Sequence, residues 1–287
     1  MLITLTLQCQ AVENPLMHPS RRADDLLHIR RALESVANMI SAVDRSAVSV
    51  SYSCNGDPVT SLDRAINRLL HESLPKNGEG WLSEESRDDL SRLHASRVWV
   101  VDPIDGTREY LEGLPMWCVS VALVEEHQAV AGGVLNPSTG EMFLGSIETG
   151  LEVLGPAGVK QPGETNGRPR MLVSRKEHGQ GKWARFESSE LTLSPVGSIA
   201  YRLAQVAAGY AEATCTFEPR GEWDVAGGTA LVQAAGGCVQ TLDGASIRFN
   251  QEIPTVRSFF AFGKDCPASV SRICGVTVTR ECDEKEG

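Results

Sequence analysis

Six carboxylates in this chain stand where apolar sequence gives way to a turn or a helix start, and carboxylates so placed can hold metal beside a phosphate. The densest group lies in VWVVDPIDGTREY, residues 98–110. The apolar run Val98–Val101 ends in Asp102, Asp105 follows three residues later, and Gly106 and Thr107 come next. Such a run reads as a strand buried on both faces, and its end presents groups from a rigid element. Glycine lets the backbone approach a ligand closely, and the free N–H groups of a helical turn favour an anion. Three further blocks offer acids in similar settings. WLSEES presents Glu84 and Glu85 after Trp81 and Leu82, GDPVTSLD puts Asp63 at a helix start, and GEWDVAGG puts Asp224 before a run of small residues. Taken singly, each has a plainer reading: Asp105-Gly106 as a turn, Asp102, Asp63 or Asp224 as a helix cap, Glu84-Glu85 as a solvated face.

The elements that must position these groups are legible in outline. Leu26, Ile29, Leu33, Val36 and Ile40 recur three and four apart, which predicts a helix over 21–43. Leu62, Ile66, Leu69 and Leu70 predict a second helix over 62–72, and SYSCNGDPVT between them reads as a loop. From 116 to 155, short β-prone runs separated by Gly, Pro and Asn predict an antiparallel meander. Residues 161–170 read as a surface connection. The second half alternates: strand at MLVS, helix near 180–189, strand or loop at LTLSPV, helix at 199–208, strand at AEATCTF and helix at 223–235. MLITLTLQCQ lacks the basic region of a signal peptide and reads as a short strand or a frayed tail.

Totals set limits. The chain has 287 residues, 41% hydrophobic and 22% charged, a soluble globular composition. A formal charge of -10 speaks against polymeric nucleic acid as a partner and leaves room for a small phosphorylated substrate, since cations reverse the local field. No apolar run reaches membrane-spanning length, so no membrane is expected. The eight cysteines form no C-x-x-C pair and read as reduced thiols of a cytoplasmic protein.

DPIDGT, with LSEES upstream and EWDVAGG downstream, resembles in kind, order and rough spacing the lithium-sensitive, Mg²⁺-dependent phosphatases of the inositol monophosphatase superfamily, from about residue 22 to about residue 265. The resemblance implies an α+β sugar-phosphatase fold, layered α-β-α-β-α. It implies one phosphatase unit with an N-terminal metal-binding half (about 21–155) and a C-terminal half (about 170–275), and it is compatible with a homodimer. It also implies roles for two or three Mg²⁺ ions: Glu84, Asp102 and the Ile104 carbonyl at one site, Asp102, Asp105 and Asp224 at the other. Asp63 and Thr107 match the pair that orients the attacking water, and Gly106 and Thr107 would give backbone N–H groups to the phosphate. Such chemistry asks for two metals about 3.5–4 Å apart, which activate water and neutralise phosphate and leaving oxygens.

Finer features point to a branch. Arg108, Glu109 and Tyr110 resemble the CysQ-type 3'(2'),5'-bisphosphate nucleotidases, where inositol monophosphatases typically read T-N-F. GSIAYRLAQVAAG, 197–209, is similar to the family frame G-S-x-x-L-K-x-x-x-V-A-x-G, with Tyr201 for the leucine and Arg202 for the nucleotidase lysine. Arg202 would meet a second phosphate. Ile199 and Ala200 stand where nucleotidases carry serines and are closer to the inositol enzymes. SRKEH resembles S-R-x-H with one extra residue, so Ser174, Arg175 and His178 are expected on the leaving-group side. Glu218 or Glu222 is expected near a sugar hydroxyl. Ser53 departs from the family, which has a lysine there, in the loop linked to the third metal. The reading is a phosphate monoester hydrolase that removes the 3'-phosphate of adenosine 3',5'-bisphosphate, with inositol monophosphatase as the alternative. Fructose-1,6-bisphosphatase and a catalytically silent regulator rank below both.

Overall fold

The computed structural model describes residues 21–53, 56–156, 167–187 and 190–276. The expectations for MLITLTLQCQ and for most of 161–170 lie outside them. The first helix, α1, is Arg21–Ser41, and it buries Ile29, Leu33 and Val36, three members of the apolar stripe. The stretch read as a loop holds a hairpin of β1 (Val50–Tyr52) and β2 (Pro58–Thr60), followed by α2 (Ser61–Ser73). Strands β3 (Gly80–Ser83), β4 (Arg97–Asp105), β5 (Cys118–Glu125), β6 (Gln128–Asn136), β7 (Glu141–Ser146) and β8 (Gly150–Leu154) form one sheet in that order, with α3 (Thr107–Leu111) after β4. Only the β3–β4 pair is parallel, so 116–155 is the expected meander.

The second half carries β9 (Arg170–Ser174), α4 (Arg175–Gly179), α5 (Ala184–Glu187), β10 (Thr192–Val196), α6 (Ile199–Ala207), β11 (Ala213–Thr216), β12 (Arg220–Gly221), α7 (Glu222–Ala234), β13 (Cys238–Thr241), β14 (Thr255–Val256), β15 (Phe259–Phe262) and α8 (Ala268–Cys274). Five of these strands form a sheet in the order β10-β9-β11-β15-β13. The helix expected near 180–189 is two short ones, because Gly181 takes a left-handed φ of 73° between them.

Three apolar cores separate five layers. α1 and α2 cover one face of the six-stranded sheet through Leu33, Ile66, Trp99 and Val121. α6 and α7 lie between the sheets through Leu203, Ala230, Val100, Leu172 and Ala261. α5 and α8 cap the far face of the five-stranded sheet through Phe186, Val270, Trp183 and Phe260. This is the α-β-α-β-α layering of an α+β fold. Among the described residues, no helix is long and apolar enough to cross a membrane. At the far end of β4, Arg97 binds Asp25, Glu79 and Glu125 and ties α1 to the sheet. Its neighbour Arg22 holds the Glu125 carboxyl below its ordinary range.

The seam around α7 is built from glycine. A Cβ on Gly132 would lie 2.5 Å from the Gly227 carbonyl, one on Gly227 2.4 Å from Ser120 Oγ, and one on Gly228 2.4 Å from Leu203 Cβ. The small residues of WDVAGG therefore let α7 touch β5 and β6 on one side and α6 on the other. Gly228→Ala adds one methyl to this seam. Overpacking costs about 1–3 kcal/mol, which outweighs a helix-propensity gain of about 1 kcal/mol. A fall of roughly 4 °C or more in the thermal midpoint is expected. An unchanged or raised midpoint would show that α6 and α7 yield at no cost.

Candidate active site

The loop ends of β3 and β4 and the first turns of α3, α6 and α7 open on one cleft of about 260 Å³. β4 runs on past the apolar residues to Asp105, with a bulge against β5 between Asp102 and Asp105. The extra residue re-aims the strand end, so both aspartates line the cleft. Ile104 N donates to Asp102 Oδ1 at 2.9 Å, whereas Asp102 Oδ2 is buried and has no hydrogen-bond partner. Gly106 takes φ 96°, and a Cβ there would press on the Met116 carbonyl and the Trp117 Cβ at 3.1 Å. The turn into α3 therefore requires glycine.

Acids distant in sequence meet here. Carboxylate oxygens of Glu84, Asp102 and Asp224 all lie within 4.8 Å of one another, and Asp105 and Ile104 line the same cleft. Asp224 also caps α7 by accepting from Gly221 N at 3.1 Å. Asp105 Oδ2 accepts from Ser198 Oγ at 2.7 Å and from Ala200 N at 2.6 Å. Ser198 holds a left-handed φ of 49°, an uncommon conformation for a side-chain-bearing residue.

The crowding shows in the proton affinities. Burial, then Glu84 and Asp105, push Asp102 well above the carboxylate range. Asp224 is pushed to about 7 by burial and by Asp105. Glu84 as a whole is exposed, yet its carboxyl is pushed up to about 9 by desolvation in the cleft, then by Asp224, Glu85, Asp105 and Asp63. Burial also raises Asp105, opposed by its bonds from Ser198 and Ala200. Packed carboxylates with an orphaned buried oxygen make a donor set that fits a hard divalent cation.

Asp63, in the first turn of α2, is buried and does not itself line the cleft, but it lies against Thr107, which does. Its Oδ2 accepts from Thr60 N at 2.8 Å and from the Thr60 hydroxyl, closing a capping box. Its Oδ1 lies 3.4 Å from Thr107 Oγ1, and that hydroxyl is also 3.1 Å from the Ile104 carbonyl. Burial raises the Asp63 carboxyl, opposed by the Thr60 bonds.

On the substrate side, Gly106, Thr107, Ser174 and Arg202 line the cleft, whereas His178 and Glu218 do not. The extra residue of SRKEH explains the histidine. Glu177, fully buried in α4, accepts from Thr216 Oγ1 and Phe217 N at 3.1 Å, and His178 falls on a different part of the turn. Glu218 is held by Lys176 and Lys182. Glu222 is buried and accepts from Asn250 N at 2.6 Å and Gln251 N at 2.9 Å, so it ties a loop and does not line the cleft. Arg202 is 2% exposed, and Nη1 donates to Thr214 Oγ1 at 3.0 Å and to the Cys215 carbonyl at 2.8 Å, while Nε has no partner. Burial and the neighbouring Arg220 lower its pKa to about 10.

Sequence reasoning missed Arg220, Lys176 and Ser198, which also line the cleft. Arg220 lies four residues before Asp224, and that proximity was the available signal. Of the REY triplet, Arg108 pairs with Asp57 at 3.0 Å, Glu109 with Arg175 at 2.9 Å, and Tyr110 is buried under Arg45.

The sequence profile of the inositol monophosphatase family matches residues 26–266. An inositol-1-monophosphatase of Mesorhizobium japonicum is 33% identical over 208 residues, 69% of this chain and 77% of that one. A 3'-phosphoadenosine 5'-phosphate phosphatase of Mycobacterium bovis is 31% identical over 204 residues, 67% of this chain and 72% of that one. In fold, the chain is similar to CysQ from Bacteroides thetaiotaomicron, with TM-score 0.70 and 23% identity over 86% of this chain and 99% of that one. A profile match of that length, running through every block that meets in the cleft, makes this chain a member of the inositol monophosphatase family, and so a phosphatase.

Proposed function

We propose that the protein is a Mg²⁺-dependent phosphate monoester hydrolase whose substrate carries two anionic groups, of the adenosine 3',5'-bisphosphate type, and that it releases the 3'-phosphate. The observation that carries the choice is the pair of arginines, Arg202 and Arg220, lining the cleft that also holds the carboxylates. Two guanidinium groups that repel each other, one buried with an unpartnered Nε, favour an anion between them. The relatives' names divide between an inositol phosphate and a nucleotide substrate, so family likeness alone leaves both readings.

Glu84, Asp102, Asp105, Asp224 and the Ile104 carbonyl would hold the metal. Bound Mg²⁺ supplies charge neutralisation at the phosphate and a more acidic water for attack. Asp63 accepts the proton of the attacking water, and the Thr107 hydroxyl, shared between Asp63 and the Ile104 carbonyl, fixes its direction. Backbone N–H groups of Gly106 and Thr107 face the phosphate oxygens. Ser174 stands on the leaving-group side, and His178 and Glu218 would reach a bulky leaving group only from outside the cleft lining. Free thiols at Cys118, Cys215 and Cys274 support a reducing, cytoplasmic compartment.

The test is a comparison of adenosine 3',5'-bisphosphate with inositol 1-phosphate, in the wild type and in Arg220→Gln. Arg202→Ala is a poorer probe, since it strips Thr214 and Cys215 of a donor and damages β11. A charge-assisted contact contributes about 1.5–3 kcal/mol, so kcat/KM for the bisphosphate should fall roughly tenfold or more in Arg220→Gln. Turnover of the monophosphate should hardly change. Equal losses would remove Arg220 from substrate recognition, and a wild type that prefers inositol 1-phosphate would replace the nucleotidase reading with the inositol one.

A further inference from the structure

Tyr201 is 5% exposed, and its hydroxyl donates to Glu141 Oε2 at 2.6 Å across the seam between α6 and β7. Glu141 is 2% exposed and takes a second bond from Thr139 Oγ1 at 2.8 Å, while its other oxygen has no partner. A buried carboxylate with so few donors depends heavily on each. The chain of bonds continues toward the cleft. Tyr201 N donates to Ser198 Oγ at 3.0 Å, and that hydroxyl donates to Asp105 Oδ2 at 2.7 Å. Ala200, between them, donates its N–H to the same oxygen at 2.6 Å. Ser198 keeps its left-handed φ only while its surroundings hold it, and the Tyr201 mooring lies three residues away on the first turn of α6.

We propose that Tyr201 is a positioning residue for cation binding: moored to Glu141, it fixes the start of α6 and, through Ser198 and Ala200, aims the free Asp105 oxygen into the cleft. This rests on the reading of Asp105 as a metal ligand. The ring also packs edge-on against Phe143, with centroids 6.3 Å apart, so Tyr201→Phe removes the mooring and keeps the spacer. Groups that orient a metal ligand typically change metal affinity by about 10–100-fold, and Tyr201 acts one bond further out. A loss of about fivefold is therefore expected.

The experiment is calorimetric titration of Mn²⁺ into the substrate-free full chain, with the metal-free thermal midpoint measured alongside. Tyr201→Phe and Glu141→Ala should each bind Mn²⁺ about fivefold more weakly than the wild type. Glu141→Gln keeps an oxygen for the Tyr201 hydroxyl and should stay within about twofold. Tyr201→Phe or Glu141→Ala with wild-type affinity and a lower midpoint would overturn the proposal and leave the pair a purely structural contact. If Tyr201→Phe does not fold, Glu141→Ala against Glu141→Gln decides. A wild type that binds no Mn²⁺ would instead overturn the metal reading itself, a different and separately visible failure.

Discussion

Asp102→Asn will lose nearly all turnover, by about 10³-fold or more, while the folded protein without metal stays at least as stable as the wild type. Both halves follow from one environment. Asp102 is 1% exposed, crowded by Glu84, Asp105 and Asp224, and its Oδ2 has no hydrogen-bond partner. Without a cation, a charge there is unfavourable, and an amide removes that cost while keeping an oxygen for Ile104 N. With a cation, the same substitution removes the most buried charge of the donor set, and metal catalysis of this type contributes several kcal/mol to the barrier. The checks are phosphate release at saturating Mg²⁺ and the midpoint in EDTA, where wild-type activity should vanish as well. Full activity in EDTA, or in the variant, would sink the metal assignment.

Asp63→Asn is expected to lower kcat by about 10²–10⁴-fold with little change in metal affinity. An amide cannot take a proton from water, although its oxygen can still accept from Thr60 and preserve the cap of α2. Asp63 is outside the tight cluster of Glu84, Asp102 and Asp224, which is the reason its loss should spare metal binding. Mn²⁺ titration beside kcat separates the two. A loss lying wholly in metal affinity would make Asp63 a ligand.

The layered fold and the meeting of the acidic blocks were readable from sequence because their signals are local. The α1 stripe, each meander turn and the DPIDGT strand end announce themselves within about fifteen residues. Arg202 was harder to place. The helix around it is buried on nearly every side, between two sheets, so no polar face marks which charge points inward. A charge there reads equally as a solvated surface residue. His178 and Glu218 fall outside the cleft lining for another reason: Glu177 turns inward to hold the Phe217 and Glu218 N–H groups, a choice visible only once α4 and the end of β11 are adjacent. The β1–β2 hairpin was hidden by its turn residues, which dominate so short a stretch.

The glycine seam also bears on how firmly the cleft is framed. At Gly132, Gly227 and Gly228 the main chain of α7 lies against its neighbours with no side chain to act as a cushion. A joint of that kind has no slack, so a shift of α7 against β5, β6 or α6 meets other atoms at once. Beside that seam, the β1–β2 hairpin brings Asp57 and Pro58 to the lining of the cleft. There the Arg108–Asp57 pair joins it to α3 through side chains that are 60% and 66% exposed. An ion pair so open to water holds weakly and is screened by electrolyte, so this contact at the cleft is of the kind that salt loosens.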